Sequence, residues 1–140
     1  MKRILILIGL SLIIAGCSQQ PDPAVKIAIN PWPGYEYLVL AQQQGIFQDI
    51  GLNVEFVPFG SLSDAQRAYI SGRVDGLAST MIEAVQSQVL SKRPLTIALL
   101  PDYSNGGDLM VAMSQIDSVA ALKGKRVGAE VSSLGIYMLH

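Results

Sequence analysis

Val25-Lys26-Ile27-Ala28-Ile29, followed at once by Asn30-Pro31-Trp32-Pro33-Gly34, is the stretch on which the fold turns. The first five residues read as a short strand, and the prolines and glycine break it. Tyr35 to Gln44 then has helical character, with Leu38 and Ala41 facing inward and Tyr37 as a further candidate. Gly45 is a good stop, and Ile46-Phe47 packs the turn before Gly51. Leu52 to Val57 alternates as a second strand. Strand, breaker, helix and strand in this order make a parallel βαβ unit.

Working outward, the unit repeats. Ser63-Asp64-Ala65-Gln66 has the form of a capping box that opens a helix, and Gly72 ends it. Val74 to Ala78 is predicted as a third strand. Thr80-Met81-Ile82-Glu83 is a second capping box, and the helix behind it, to about Leu90, has Met81, Ile82, Val85 and Val89 as its apolar face. Leu95 to Leu100 is apolar almost throughout, the pattern of a fourth strand covered on both faces. Asp108 to Met113 reads as a fifth strand, Ser118 to Leu122 as a short helix, Val127 to Val131 as a strand and Ser132 onward as the start of another helix. Tyr69, Met81 and Met138 read as core residues. The fold class is α/β, an open and mainly parallel sheet with flanking helices. Such sheets bind ligands beyond the carboxyl ends of their strands, which makes the strand-end loops candidate site segments.

Upstream of Val25 the character changes. Met1-Lys2-Arg3 is a basic start, and Ile4 to Ile14 is almost purely apolar. That run is shorter than the ~20 residues a membrane span requires, and it fits the hydrophobic core of an export signal. The following Ile14-Ala15-Gly16-Cys17 resembles a bacterial lipobox. The resemblance implies cleavage before Cys17, lipidation of its thiol and export to a membrane face outside the cytoplasm. Ser18 to Ala24 would then be a polar, Pro-containing tether.

Composition removes several function classes. Ten basic and eleven acidic residues supply no basic footprint for nucleic acid. Without residues 1–16 the count is eight against eleven, a net charge of −3. A hydrophobic content of 50% is ample for a buried core and argues against a disordered chain. One cysteine cannot form an intrachain disulfide, and one cysteine with one histidine makes a poor zinc site. No metal and no cofactor is expected.

The body resembles the extracytoplasmic substrate-binding proteins of ABC importers, in the nitrate/sulfonate/taurine and thiamine-pyrimidine-precursor group. Four segments carry the resemblance: Pro31-Trp32-Pro33-Gly34-Tyr35 with Gly45-Ile46-Phe47, then Gly51-Leu52-Asn53-Val54-Glu55, Ser71-Gly72-Arg73-Val74-Asp75-Gly76, and Leu122-Lys123-Gly124-Lys125-Arg126-Val127-Gly128. Their order along the chain makes the match more specific than any one of them. The implied fold is of the type II periplasmic-binding-protein kind, two α/β lobes that hinge closed on a small solute. Mapped onto this chain, residues 1–16 are the signal, 17–24 the lipidated tether, 25–107 the first lobe, 108–117 the crossover strand, and 118–140 the start of a second lobe. On that map the chain reads as the N-terminal part of a longer protein.

Candidate ligand-binding residues lie at the strand ends. Trp32 and Tyr35 can stack on a ring, cover an apolar tail or face a cation, and Gly34 permits close backbone approach. Gly60 and Ser61 follow the second strand, Ser79 and Thr80 the third, and Asp102, Tyr103 and Ser104 the fourth. Ser132 and Ser133 would face them from the second lobe. Hydroxyls and free amides at helix starts suit an anionic or polar group. Lys123, Lys125 and Arg126 read as a solvated turn, and His140 as inert.

These residues predict a monomeric solute-binding lipoprotein that partners the permease and ATPase subunits of an importer. A ligand-binding sensor for a membrane receptor would use the same site. An enzyme is not expected. The related pyrimidine synthases of thiamine biosynthesis use a cysteine-rich iron-binding motif and an active-site histidine, and a single histidine cannot assemble a Ser/His/Asp set.

Overall fold

The computed structural model describes residues 22–130 and 133–139. The segment expected to be an export signal, Cys17 and Ser132 lie outside the described residues, as do the side chain of Ser133 and all of His140. The chain forms β1 (Val25–Ile29), a 3₁₀ turn (Pro33–Tyr35), α1 (Glu36–Gln43), α2 (Ile46–Asp49), β2 (Val54–Pro58) and α3 (Leu62–Ile70). It continues with β3 (Gly76–Leu77), α4 (Met81–Ser91), a second 3₁₀ turn (Val119–Leu122) and α5 (Ser133–Met138).

The three strands form a parallel sheet in the order β2-β1-β3. Val25 stands opposite Val54 and Ile29 opposite Pro58, while Ile27 and Ala28 face Gly76 and Leu77. β1 is therefore central, and the breaker that follows it emerges between the ends of its two neighbours. The α/β reading and the first two βα units agree with this arrangement. Gly45 takes φ +76°, the left-handed conformation its role as a helix stop requires.

The core joins the sheet to α3. Ala28, Ala65, Ala68, Tyr69 and Val74 are buried together, with Val57, Phe59, Leu77 and Leu95 packed at the edge. Three alanines at this seam let the helix lie close on the strand. Arg93 caps the seam, its guanidinium 5.2 Å from the centre of the Tyr69 ring.

Several expected elements differ. The third strand shrinks from five residues to two. Leu95–Leu100 is not a strand: Leu95 packs on the core, its N–H donating to Gln88 Oε1 at 2.7 Å, but Ile97, Leu99 and Leu100 are exposed. The two-residue β3 offers too few ladder groups at its outer edge to hold a neighbouring strand. Asp108–Met113 and 127–130 are likewise outside any ladder, and Leu109, Met110, Val111 and Met113 are exposed.

The helices hold two further corrections. α3 is capped by Ser61, not Ser63; the Ser61 hydroxyl accepts from Asp64 N–H at 3.1 Å and donates to Asp64 Oδ2 at 2.7 Å. α4 buries the opposite face from the expected one. Met81, Val85 and Val89 are 55, 57 and 70% exposed, while Glu83 and Ser87 are fully buried. Gln66 on α3 explains the choice, since its Nε2 lies 3.3 Å from the Glu83 carbonyl and 3.4 Å from Ser87 Oγ. Tyr37 and Met138 also point to solvent, whereas Tyr69 is core as predicted.

Candidate functional site

The site lies beyond the carboxyl ends of β1 and β2. There the chain bends at Pro31, Trp32 is extended, and Pro33 starts the 3₁₀ turn that feeds α1. A cavity of about 230 Å³ opens between this loop and the end of β2, with Ile29, Asn30, Trp32, Tyr35, Glu36 and Phe59 in its wall. Tyr35 is buried and Trp32 half-exposed, so one ring is fixed and the other is available.

Asp102 stands at the edge of the Trp32 ring. Its Oδ2 accepts the indole N–H of Trp32 at 3.1 Å, across seventy residues of chain. Gly34 lies beneath this pair, and a Cβ there would fall inside contact distance of the Asp102 carboxylate and 3.0 Å from Trp32 Nε1. A side chain at position 34 would push the Asp102 carboxylate off that bond. Burial pushes the Tyr35 phenol up to about 12, and the Asp102 and Glu83 carboxylates add to the rise.

Trp32, Gly34, Tyr35 and Asp102 are thus brought together. The other predicted site residues whose side chains are described are not part of this cluster. Gly60 is exposed with open space around it. Ser61 is engaged with Asp64, and Leu62 N–H donates to Glu130 Oε1 at 3.3 Å, so the α3 start is occupied by the chain's own groups. Ser79 Oγ donates to the Thr80 carbonyl at 3.2 Å. Thr80 bonds Glu83 side chain to side chain instead of capping a backbone amide, and Glu83 Oε1 accepts from Leu134 N–H at 3.1 Å. Tyr103 points to solvent, and Ser104 Oγ bonds Asp108 Oδ2 at 3.3 Å.

Three site residues escaped the sequence reading. Glu36 stands in the first turn of α1 and in the cavity wall. Asn30 is in the wall too, and its Oδ1 is buried without a hydrogen-bond partner. Its place directly after β1, in the segment that breaks the strand, was the available signal. Glu83 carries its field to Tyr35 from a helix face that looked polar and outward. Among the described residues no group of three or more His, Cys, Asp or Glu is placed to hold a metal, and no helix is long and apolar enough to cross a membrane.

A parallel α/β lobe with an aromatic and carboxylate cavity at its strand ends has the form of a binding module for a small solute. Residues 18–134 match the family model of the NMT1-like family, and the chain belongs to that family, within the nitrate/sulfonate/taurine-binding ABC substrate-binding group. The family is generally one of solute-binding proteins, not of enzymes. No curated protein and no solved structure matches the chain significantly.

Proposed function

We propose that this protein captures a small solute for an ABC importer, as a monomer that delivers to a cognate permease and ATPase. The observation that carries the reading is the strand-end cavity, where Trp32 is held by Asp102 over Gly34 at the place where parallel α/β folds bind ligands. In this reading the fold is of the periplasmic-binding type II kind. Residues 25–107 form the first lobe and one wall of the cleft, 108–117 cross over, and 118–140 begin the opposing lobe, which brings Ser132 and Ser133 toward the ligand. Closure of the lobes would exclude water from the Trp32 side of the solute.

We also propose that the protein is exported and held at a bacterial membrane by lipid on Cys17, with residues 18–24 as the tether. More than one acyl chain would anchor it stably.

Solute capture is tested by thermal denaturation of the full chain against a panel of small organic solutes. A bound solute raises Tm in proportion to ln(1 + [L]/Kd), and Trp32→Ala removes the rise. A rise that survives Trp32→Ala unchanged would place the ligand elsewhere. Anchoring is tested by Cys17→Ser: palmitate labelling disappears and the protein leaves the membrane fraction, whereas continued labelling would sink the lipid assignment.

A further inference from the structure

Three helix starts meet beyond the carboxyl end of the sheet, and two carboxylates cross between them. Glu83, in the first turn of α4, accepts from the Thr80 hydroxyl with one oxygen and from the Leu134 N–H of α5 with the other, at 3.1 Å. Glu130, which precedes α5, accepts from the N–H of Leu62, the first residue of α3, at 3.3 Å. The two contacts therefore run in opposite directions: α4 holds the start of α5, and the chain before α5 holds the start of α3. Each meets a need of its own. The first N–H groups of a helix have no partner inside it, and Ser61 serves Asp64, which leaves Leu62 to Glu130. Glu83 is fully buried, where a carboxylate requires donors.

From this arrangement we infer that Glu83 and Glu130 form a reciprocal latch that docks α5 on the starts of α3 and α4, each hydrogen bond holding in place the segment that makes the other. Two joints make the contacts interdependent. Gln66 ties α3 to α4, its Nε2 lying 3.3 Å from the Glu83 carbonyl and 3.4 Å from Ser87 Oγ. Gly135 ties Glu130 to α5: a Cβ there would come within 2.5 Å of the Glu130 carbonyl oxygen, so a bare backbone lets the chain at Glu130 lie against the first turn of the helix. Releasing either carboxylate frees α5 as a unit and leaves the sheet intact. The latch stands on these contacts alone. Its bearing on solute capture rests on the reading above, in which α5 belongs to the opposing lobe and parts from the first to admit a solute. Glu83 also lies close enough to the cavity for its charge to add to the rise at Tyr35, after burial and Asp102, so the latch adjoins the site.

Residue-resolved amide hydrogen exchange on the isotope-labelled full chain reads both contacts at once. Glu130→Ala changes an exposed residue and removes the acceptor of Leu62. Exchange at Leu62 should rise, and exchange at Leu134, whose own acceptor is untouched, should rise with it by about tenfold, while the amides of β1 keep their rates. Gly135→Ala is the second variant. Helix propensity favours the alanine, yet it should speed exchange at Leu62 by pushing the Glu130 backbone off α5. Leu134 unmoved in Glu130→Ala, or Leu62 unmoved in Gly135→Ala, would show two independent contacts and overturn the latch. A rise in β1 equal to that at Leu134 would mark a loss of overall stability and overturn it too. None of these results touches the Trp32-dependent rise in Tm, so the latch and the solute-binding reading fail separately.

Discussion

α3 and α4 open alike, each after a strand and each with a capping signal in its first turn, yet they use their faces in opposite ways. α3 buries what looks apolar: Leu62, Ala65, Ala68 and Tyr69 lie against the sheet. α4 buries Glu83 and Ser87 and leaves Met81, Val85 and Val89 outside. The difference lies in what each helix meets. α3 meets the apolar surface of β1, where any apolar stripe of the right width is stabilised by about 25 cal/mol for each Å² removed from water. α4 meets α3, whose Gln66 presents a long amide, and beside it the N–H of Leu134. Buried polar groups must find partners, and Glu83 with Ser87 supplies them. Periodicity identifies a helix, and its neighbours choose the face.

The contrast can be broken or sharpened by substitution. The largest effect is expected at the α3 seam, where Tyr69→Ala removes a buried ring and should cost about 3 kcal/mol in urea denaturation. Next comes Glu83→Ala, which leaves the Leu134 N–H and the Thr80 hydroxyl without their acceptor and should cost about 2 kcal/mol, with Glu83→Gln recovering part of it. If Glu83→Ala proves neutral, the buried face of α4 has been misassigned.

Ser61→Ala removes the α3 cap and should cost about 1 kcal/mol. The same bond also links α3 to acid. The Ser61 hydroxyl, with the Arg67 guanidinium, holds the Asp64 carboxyl below its usual value against some desolvation. A depressed carboxyl contributes stability above its unfolded pKa that is lost as pH falls through the folded one, below about pH 4. Ser61→Ala should therefore flatten the acid limb of a Tm-versus-pH curve.

The start of α4 is linked instead to alkali. Tyr35 is raised toward about 12, first by burial and then by Asp102 and Glu83, so the stability it contributes is lost as pH climbs from 10 toward that value. An absorbance titration should show one late tyrosine, absent in Tyr35→Phe and earlier in Glu83→Gln. The smallest effect belongs to Val89→Ala, at a residue 70% exposed, which should stay within about 0.5 kcal/mol. A loss well above that would mean the apolar face of α4 is covered in solution.

How far the residues could be read before the fold was known follows the same physics. β1, β2 and α1 were legible, because alternation, prolines and glycines act within a few positions of themselves, whereas α2 was read as a turn. Leu95–Leu100 was not. A run of apolar residues can form a strand only if a neighbouring ladder receives it, and β3 is two residues long. At the site, Trp32, Gly34 and Tyr35 stood out through their residue types beside a strand end. Asp102 was picked as the residue after a strand that does not form, and it reaches the site by its bond to Trp32. Asn30 was marked only by its place directly after β1, and Glu36 and Glu83 gave no local sign, since their roles depend on a cavity and a field made by residues far away in the chain.

By itself the sequence determined the parallel α/β alternation, the family, and the strand-end loop where the aromatic residues gather. Each of these follows from short-range patterns of polarity and backbone freedom. Only the tertiary structure decided which face α4 buries, which helix starts are occupied by the chain's own carboxylates, and that Asp102 returns to bond Trp32. Those outcomes depend on polar groups brought together across tens of residues, where the cost of leaving one unpaired in a buried place outweighs the local preference of any single element.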